Sequence, residues 1–248
     1  MPDNLPPLAL LAGGLATRLG TLTRDIPKSL VMVAGEPFLA HQLRLLAKQG
    51  IRDVVICCGY LGNQIEDFAG DGSRFGFRIR YSYDSNGLLG TGGALRHALP
   101  LLGTQFFVTY GDSYLLADPV HAWNAFHRSS QPAMMSVFRN EDRWDRSNVE
   151  MRAGAIRCYG KAERNPGMRH IDYGLSLMQA NVLEHEQDGN RFDLAGVFER
   201  LASEGRLAAH EVHERFYEIG SPGGLHETEQ MLHERYALSS FATAGCEQ

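Results

Sequence analysis

The alternation of short apolar runs with helical patterns over the first 110 residues constrains the fold most. Apolar runs at 8–11, 54–58, 77–83 and 106–110 predict four strands. Helical spacing between these runs predicts a helix that ends at Gly50, one over 61–68, and one over 92–99 that Pro100 closes. Strands that alternate with helices form right-handed βαβ units. We therefore predict an α/β fold, Rossmann-like, with a mixed, mostly parallel sheet flanked by helices.

The second half of the chain has a more mixed pattern. Strands are predicted over 133–138, 149–151, 155–159 and 173–178, and helices over 194–203 and 222–236. No internal repeat or low-complexity linker interrupts the chain. We expect a single domain over residues 1–238 and a flexible tail over 239–248, where the residues are mostly small and polar.

Composition excludes several classes of function. A formal net charge of -5 argues against a nucleic-acid partner or an anionic membrane, which usually require a basic surplus. No apolar run approaches the roughly 20 residues of a membrane span, and Asp3 stands where a signal peptide is basic. The cysteines form no CxxC pair, which favours buried thiols in a cytoplasmic protein: Cys57, Cys58, Cys158 and Cys246.

A glycine loop directly follows the first predicted strand. Gly13 and Gly14 let the backbone approach a ligand closely, and consecutive loop amides can bind an anion. Arg18, a few residues later, can bind phosphate oxygens in a bidentate manner. The loop matches neither a Walker A motif nor a GxGxxG fingerprint. On these residues alone, a plain strand-to-helix turn is the alternative.

Further polar residues lie in the loops where ligands of such sheets bind, beyond the carboxyl ends of the strands. Lys28 follows the stiff Pro27 and offers a second cation to a phosphate. Asp112 follows the fourth predicted strand, where its carboxylate can coordinate Mg²⁺. Taken singly, Lys28 is also compatible with a solvated lysine, and Asp112 with a turn or a helix cap.

Together these motifs resemble a known family. The stretch LAGGLATRL, PKSL and VAGEPFL, which begins at Leu11, resembles the signature of the sugar-phosphate nucleotidyltransferases. Residues 89–95, LGTGGAL, are similar to the turn that lies against the nucleobase in that family. The resemblance implies the nucleotide-diphospho-sugar transferase fold, with a nucleotide-binding half to about residue 130 and a sugar-binding half over 131–238. It implies transfer of a nucleotidyl group from a nucleoside triphosphate to a sugar 1-phosphate, with Mg²⁺ and release of pyrophosphate.

The resemblance also implies roles for individual residues. Those implied for catalysis are Arg18, Lys28 and Asp112. Those implied for nucleotide binding are Leu11, Ala12, Gly13, Gly14, Gly90, Thr91 and Gly92, with Asp84 expected near the base. Those implied for the sugar phosphate are Asn148, Lys161, Asp172 and Gly174. The implied metal ligands are Asp112 and Glu218.

The sequence departs from the family pattern at three positions. Glu218 stands where the family has aspartate, which moves the carboxylate by about one methylene. Gly160 precedes Lys161 where relatives often have glutamate, and Leu88 stands where many have proline. These changes bear on the second metal ligand, on the sugar-phosphate contact and on the loop before residues 89–95.

Two substrate pairs and one other class of function stay open. The chain is most similar to compact family members that transfer guanylyl groups to heptose 1-phosphate. Members that transfer uridylyl groups to N-acetylmuramate or hexose 1-phosphate are the alternative. A non-catalytic nucleotide-sugar-binding regulatory protein is the rival from another class. A homodimer is compatible with the family, although no residue pattern indicates one.

Overall fold

The structure is a computed structural model that describes residues 5–14, 17–84, 87–160 and 165–244. Within these ranges the side chains of residues 17, 18, 21 and 238–244 are not described. The helices are α1 Phe38–Lys48, α2 Gly62–Ala69, α3 Gly90–Leu102, α4 Pro119–Ser129, α5 Leu194–Ser203 and α6 Pro222–Ala244. The strands are β1 Leu8–Leu11, β2 Met32–Val33, β3 Glu36–Pro37, β4 Asp53–Cys58, β5 Arg78–Tyr83, β6 Gln105–Tyr110, β7 Ser113–Leu115, β8 Ala133–Arg139, β9 Val149–Arg152, β10 Ala155–Tyr159, β11 His170–Gln179, β12 Leu207–Val212 and β13 Phe216–Glu218.

One large sheet runs through the described part of the chain. It has nine strands in the order β5-β4-β1-β6-β11-β8-β12-β10-β9. The strands β5, β4, β1 and β6 are parallel, as the βαβ pattern of the first half predicts. Strand β11 then enters antiparallel between β6 and β8, and β12 is parallel to β8. The sheet is therefore mixed, with its continuous parallel part in the first half.

Strand β1 is apolar along its whole length because helices cover both faces of the sheet. In β1, Ala9 and Leu11 belong to a core cluster shared with α3 and α5. Leu8 and Leu10 belong to a second cluster shared with α1, α2 and α4. All four side chains are buried. A strand buried on both faces reads as a continuous apolar run, which is why the sequence identifies these strands well.

Two helices extend beyond their predicted ends. Pro100 does not close α3, which continues to Leu102 and ends before Gly103 at φ 76°. Because Pro100 lies in the last turns, its missing N–H removes a single intrahelical bond, and the helix continues past it. Helix α6 continues past Tyr236 to Ala244, so the predicted tail is helical in part. Residues 245–248 lie outside the described ranges, and the flexibility of the tail stays a prediction.

Helix α4 and several strands, among them β2, β3, β7 and β12, were not predicted from the sequence. The sequence does contain a signal for the start of α4, an aspartate followed by proline. Asp118 is the N-cap, where its carboxylate accepts a hydrogen bond from the Val120 amide, and Pro119 occupies the first turn. Strand β7 has three residues, too few to show a period. None of the described helices combines the length and apolar character needed to cross a membrane.

A buried phenol joins β11 to the connection before α4, and its removal provides a test of the packing. The Ala117 amide donates to the Tyr173 hydroxyl at 3.1 Å, and both residues are buried. We expect Tyr173→Phe to lower the unfolding free energy by about 1–3 kcal/mol, or about 3–10 °C in Tm, because a buried N–H loses its acceptor. Tyr81→Phe is the control, since the Tyr81 hydroxyl donates to the solvent-exposed Gly70 carbonyl. Equal Tm values for the two variants would contradict this account.

Candidate active site

A cavity of about 440 Å³ lies beyond the carboxyl ends of the parallel strands. Strand β1 ends between β4 and β6, and hydrogen bonds continue past its end. The Ala12 amide donates to the Cys57 carbonyl at 3.0 Å, and the Gly111 amide donates to the Leu11 carbonyl at 2.9 Å. The loops that follow these strands therefore form one edge, and the cavity lies where ligands of such sheets bind.

Gly13 and Gly14, in the loop after β1, are glycine for different structural reasons. A Cβ on Gly13 would lie 2.9 Å from the backbone nitrogen of Gly59, so this position has no room for a side chain. A Cβ on Gly14 would meet nothing within 4 Å, and Gly14 is exposed at the cavity. Gly13 is thus required for packing against the end of β4. Gly14 leaves the backbone open on the cavity side.

The connection between β4 and α2, together with the first turn of α2, supports the segment that leads to Lys28. The Tyr60 hydroxyl donates to the Arg24 carbonyl at 2.8 Å. The Gln64 amide group donates to the Asp25 carbonyl at 3.1 Å. These bonds hold the backbone a few residues before Lys28, which lines the cavity. The side chain of Arg18 lies outside the described residues, so its predicted role stays a prediction.

Lys28 and Asp112 are brought together across the cavity edge. The Lys28 Nζ donates to Asp112 Oδ2 at 2.7 Å, with both side chains largely buried. The Ser113 hydroxyl donates to the other carboxylate oxygen at 3.3 Å. A charge pair that is partly shielded from water is screened less by salt than a surface pair. Lys28 and Asp112, two of the three residues that sequence analysis selected for catalysis, are therefore in direct contact.

Glu218 lies at the same point because a short two-stranded ladder links it to Asp112. Strand β13 pairs antiparallel with β7, with Glu218 opposite Ser113. The Ile219 amide donates to the Asp112 carbonyl at 2.9 Å. A Cβ on Gly220 would lie 2.7 Å from Glu218 Oε2, 3.2 Å from Asp112 Oδ2 and 3.6 Å from Lys28 Nζ. The two predicted metal ligands and the lysine therefore surround one glycine.

The longer side chain of Glu218 is accommodated at the start of α6. Its carboxylate accepts hydrogen bonds from the Gly220 amide and, at 2.6 Å, from the Ser221 hydroxyl. A Cβ on Gly224 would lie 1.8 Å from Glu218 Oε1, so only glycine leaves space for the glutamate in this position. Within the described ranges, no group of three or more His, Cys, Asp or Glu side chains could hold a metal ion by itself.

The glycines at the start of α3 pack against the connection that precedes α5. The amides of Gly92 and Gly93 donate to the Phe192 carbonyl at 3.0 and 3.2 Å. A Cβ on Gly90 would lie 2.6 Å from that same carbonyl oxygen. The Gly92 amide is therefore engaged inside the protein and not free to read a base, whereas Gly90 and Thr91 line the cavity.

The connection before α5 supplies two cavity residues that sequence analysis did not select, Arg191 and Asp193. Asp193 directly precedes a predicted helix, so its sequence position suggested only a helix cap. Arg191 had no motif around it. Asp84, expected near the base, lines the same cavity and is partly buried. Burial raises the pKa of the Asp84 carboxyl above its usual value.

The predicted sugar-binding residues form a second group, on β11 and the segment before β9. The Asp172 amide donates to Asn148 Oδ1 at 3.0 Å, and the Gly174 amide donates to Asp172 Oδ1 at 2.9 Å. Gly174 has φ 90°, and a Cβ there would lie 3.5 Å from the Ser113 hydroxyl. Asn148, Asp172 and Gly174 are thus held together beside the segment that carries Asp112. Lys161 lies outside the described residues.

The buried Tyr159 and the half-buried Tyr110 lie close to the Asp172 carboxylate. The Tyr159 hydroxyl donates to Asp172 Oδ2 at 3.4 Å, and Tyr110 lines the cavity one residue before Gly111. Burial, followed by the charge of Asp172, raises the pKa of both phenols well above the usual range. Both hydroxyls therefore stay protonated at neutral pH and act as hydrogen-bond donors.

The contrast between Gly13 and Gly14 gives a test of the loop geometry. We expect Gly13→Ala to lower the unfolding free energy by about 1–3 kcal/mol, because the new methyl group would clash with the Gly59 backbone. Gly14→Ala should change stability by less than about 0.5 kcal/mol, because its added methyl group enters open space. Thermal unfolding of both variants measures the difference. A Gly14 variant as unstable as the Gly13 variant would contradict the described loop.

Comparison with known proteins gives the family. The Nucleotidyl transferase family model matches residues 9–147. An N-acetylmuramate alpha-1-phosphate uridylyltransferase of Neisseria meningitidis is 45% identical over 104 residues, which are 42% of this chain and 45% of that protein. A D-glycero-alpha-D-manno-heptose 1-phosphate guanylyltransferase of Campylobacter jejuni is 26% identical over 86% of this chain and 94% of its own length.

A solved structure shows the same fold. The structure of HddC from Yersinia pseudotuberculosis complexed with GMP-PN superposes with a TM-score of 0.76 at 23% identity, covering 92% of this chain and 100% of that one. The predicted nucleotide-diphospho-sugar transferase fold is confirmed. The family match spans β1, the glycine loop, Lys28 and Asp112, on which the sequence resemblance depended. The chain belongs to the nucleotidyl transferase family.

Proposed function

We propose that this protein transfers a nucleotidyl group from a nucleoside triphosphate to a sugar 1-phosphate, forming a nucleotide-sugar and pyrophosphate. The observation that carries this proposal is the convergence of Lys28, Asp112 and Glu218 around Gly220. Lys28 and Asp112 line the cavity together with the open backbone of Gly14. Cations and carboxylates gathered beside a glycine loop suit a reaction between phosphates.

The chemistry requires positioning and charge neutralisation more than a covalent nucleophile. The sugar phosphate oxygen attacks the α-phosphorus, and pyrophosphate leaves on the opposite side. The loop backbone at Gly13 and Gly14 holds the triphosphate, and Lys28 neutralises the reacting phosphates. From the family resemblance, Arg18 stabilises the leaving pyrophosphate and Lys161 holds the attacking phosphate.

The residues around Gly220 suit Mg²⁺. This ion is usually held by one or two carboxylates and completes its shell with substrate phosphates and water. Asp112 and Glu218 would supply the carboxylates, and the space that Gly224 leaves for Glu218 offsets the added methylene. When bound, the ion would neutralise and polarise the phosphate oxygens. Two carboxylate ligands leave coordination positions that substrate phosphates and water would fill.

For the substrates we favour GTP with heptose 1-phosphate, with UTP and N-acetylmuramate or hexose 1-phosphate as the alternative. The heptose pair is supported by the guanylyltransferase of Campylobacter jejuni, and the N-acetylmuramate pair by the uridylyltransferase of Neisseria meningitidis. A non-catalytic nucleotide-sugar-binding protein is the rival, and the contact between Lys28 and Asp112 together with the nearby Glu218 favours catalysis. The buried thiols of Cys57 and Cys58 suit the cytoplasm, where we expect the enzyme to act.

Asp112→Asn tests the catalytic assignment. We expect turnover with Mg²⁺ to fall by about 10²–10³-fold, because the amide loses the charge that faces Lys28 and the metal. The backbone bond from Ile219 to Asp112 is unaffected, so the fold should persist. Asp118→Asn is the control, because that carboxylate caps α4 and lies outside the cavity lining. Full activity of the Asp112 variant would remove this residue from the site.

Pyrophosphate release measures the reaction itself. The assay uses GTP, UTP, CTP, ATP and dTTP with Mg²⁺ against heptose, mannose, glucose and N-acetylmuramate 1-phosphates. Release that requires one pair identifies both the base and the sugar. Measurable nucleotide binding without release from any pair would support the regulatory rival instead.

A further inference from the structure

The cavity has two chemically different walls. The Gly13–Gly14 backbone and Lys28, which suit phosphate, form one part of the lining. Asp84 and Asp193, next to Leu89 and Gly90 at the start of α3, form another part, which also includes Arg191. Two carboxylates repel a polyphosphate, so a bound nucleotide would turn its phosphates towards Lys28 and its base towards this acidic wall.

Asp193 does not perform the capping role that its position suggests. It occupies the N-cap of α5 in an extended conformation but accepts no capping hydrogen bond. The Leu194 amide, at the first position of that helix, donates to the Thr91 hydroxyl at 2.9 Å. Asp193 Oδ1 lies 3.1 Å from the Cβ position of Gly90, at the cavity. In the described part of the chain, no donor hydrogen-bonds to the Asp193 carboxylate.

Asp84 is fixed at the same wall by its backbone and by one carboxylate oxygen. Its amide donates to the Cys58 carbonyl at 3.0 Å, which continues the ladder at the end of β5. The Leu89 amide donates to Asp84 Oδ2 at 3.0 Å. A carboxylate has about four acceptor sites, so Asp84 can accept further hydrogen bonds from a ligand. Its position is therefore set before any ligand enters.

Arg191 adds a donor to this wall. Arg191 lines the cavity and, among the described residues, makes no ion pair with either carboxylate. The wall thus offers two hydrogen-bond acceptors and one planar donor group.

This arrangement complements guanine better than uracil. The pairing edge of guanine presents two neighbouring donors, N1–H and the N2 amino group, and its O6 and N7 accept from arginine in a bidentate manner. Uracil presents one N–H between two carbonyl oxygens, which carboxylates repel. An ionised carboxylate accepts hydrogen bonds and donates none.

We propose that Asp84 and Asp193 are base-selecting residues, and that this wall selects guanine over uracil. The inference rests on the proposed function, since it assumes that the cavity binds a nucleoside triphosphate. Arg191 supports the selection by donating to the acceptor side of guanine. The three residues together would decide between the two substrate pairs.

The test compares binding of GTP and UTP to the full-length protein by calorimetry, with Mg²⁺. The wild type should bind GTP more tightly. Asp193→Ala and the isosteric Asp193→Asn should each lower the GTP/UTP affinity ratio by about 10–100-fold through weaker GTP binding. Asp84→Asn should act in the same direction while its side-chain oxygen still accepts from the Leu89 amide.

Asp188→Ala is the matched control for the Asp193 variants. Asp188 lies in the same connection before α5, but its carboxylate pairs with His97 at 2.9 Å and does not line the cavity. It should leave the GTP/UTP ratio unchanged. Thermal unfolding of each variant verifies that the fold is retained.

Three results would overturn the inference, and they have different consequences. A wild type that prefers UTP contradicts guanine selection but leaves nucleotidyl transfer standing. Equal weakening of GTP and UTP in the Asp193 variants removes base selection from that residue. A wild type that neither binds nor turns over any triphosphate contradicts the proposed function itself, and the inference with it.

Discussion

The parallel pairing of β1 with β4 on one side and β6 on the other is the constraint on which the site depends. Strand β1 is buried on both faces and hydrogen-bonded along both edges, so its end is fixed relative to the ends of β4 and β6. The glycine loop, the end of β4 and the Gly111–Asp112 turn are thereby held at one edge. The backbone contact between Gly13 and Gly59 follows directly from this packing.

A second, much smaller ladder brings the acidic groups together. Strands β7 and β13 have three residues each, yet their pairing places Glu218 beside the segment that begins at Asp112. Two glycines, which have no side chain, then decide the geometry. Gly220 allows Lys28 and both carboxylates to surround one point, and Gly224 makes room for the glutamate. These glycines serve the close approach of side chains, although neither has a positive φ.

The start of α3 shows how a motif can combine structural and binding roles. Gly90, Gly92 and Gly93 have no side chain because the Phe192 segment packs directly against them. In the same contact the Leu194 amide, the first of α5, donates to the Thr91 hydroxyl, and Asp193 lies at the cavity. Packing between two helix N-termini thus determines which groups face a ligand.

The sequence by itself determined the βαβ alternation, the continuous apolar strands and most residues of the cavity edge. These follow from local periodicity and from motifs such as the glycine loop and Gly111–Asp112, which need few distant contacts. The family resemblance implied that Asp112 and Glu218 act together, but only tertiary structure decided how they meet, through the pairing of β7 with β13. It also decided that Asp193 lies at the cavity and makes no capping bond. Both depend on contacts with residues far away in the chain, and sequence spacing carries no record of such contacts. A residue before a helix looks like its cap until the fold shows where its side chain lies.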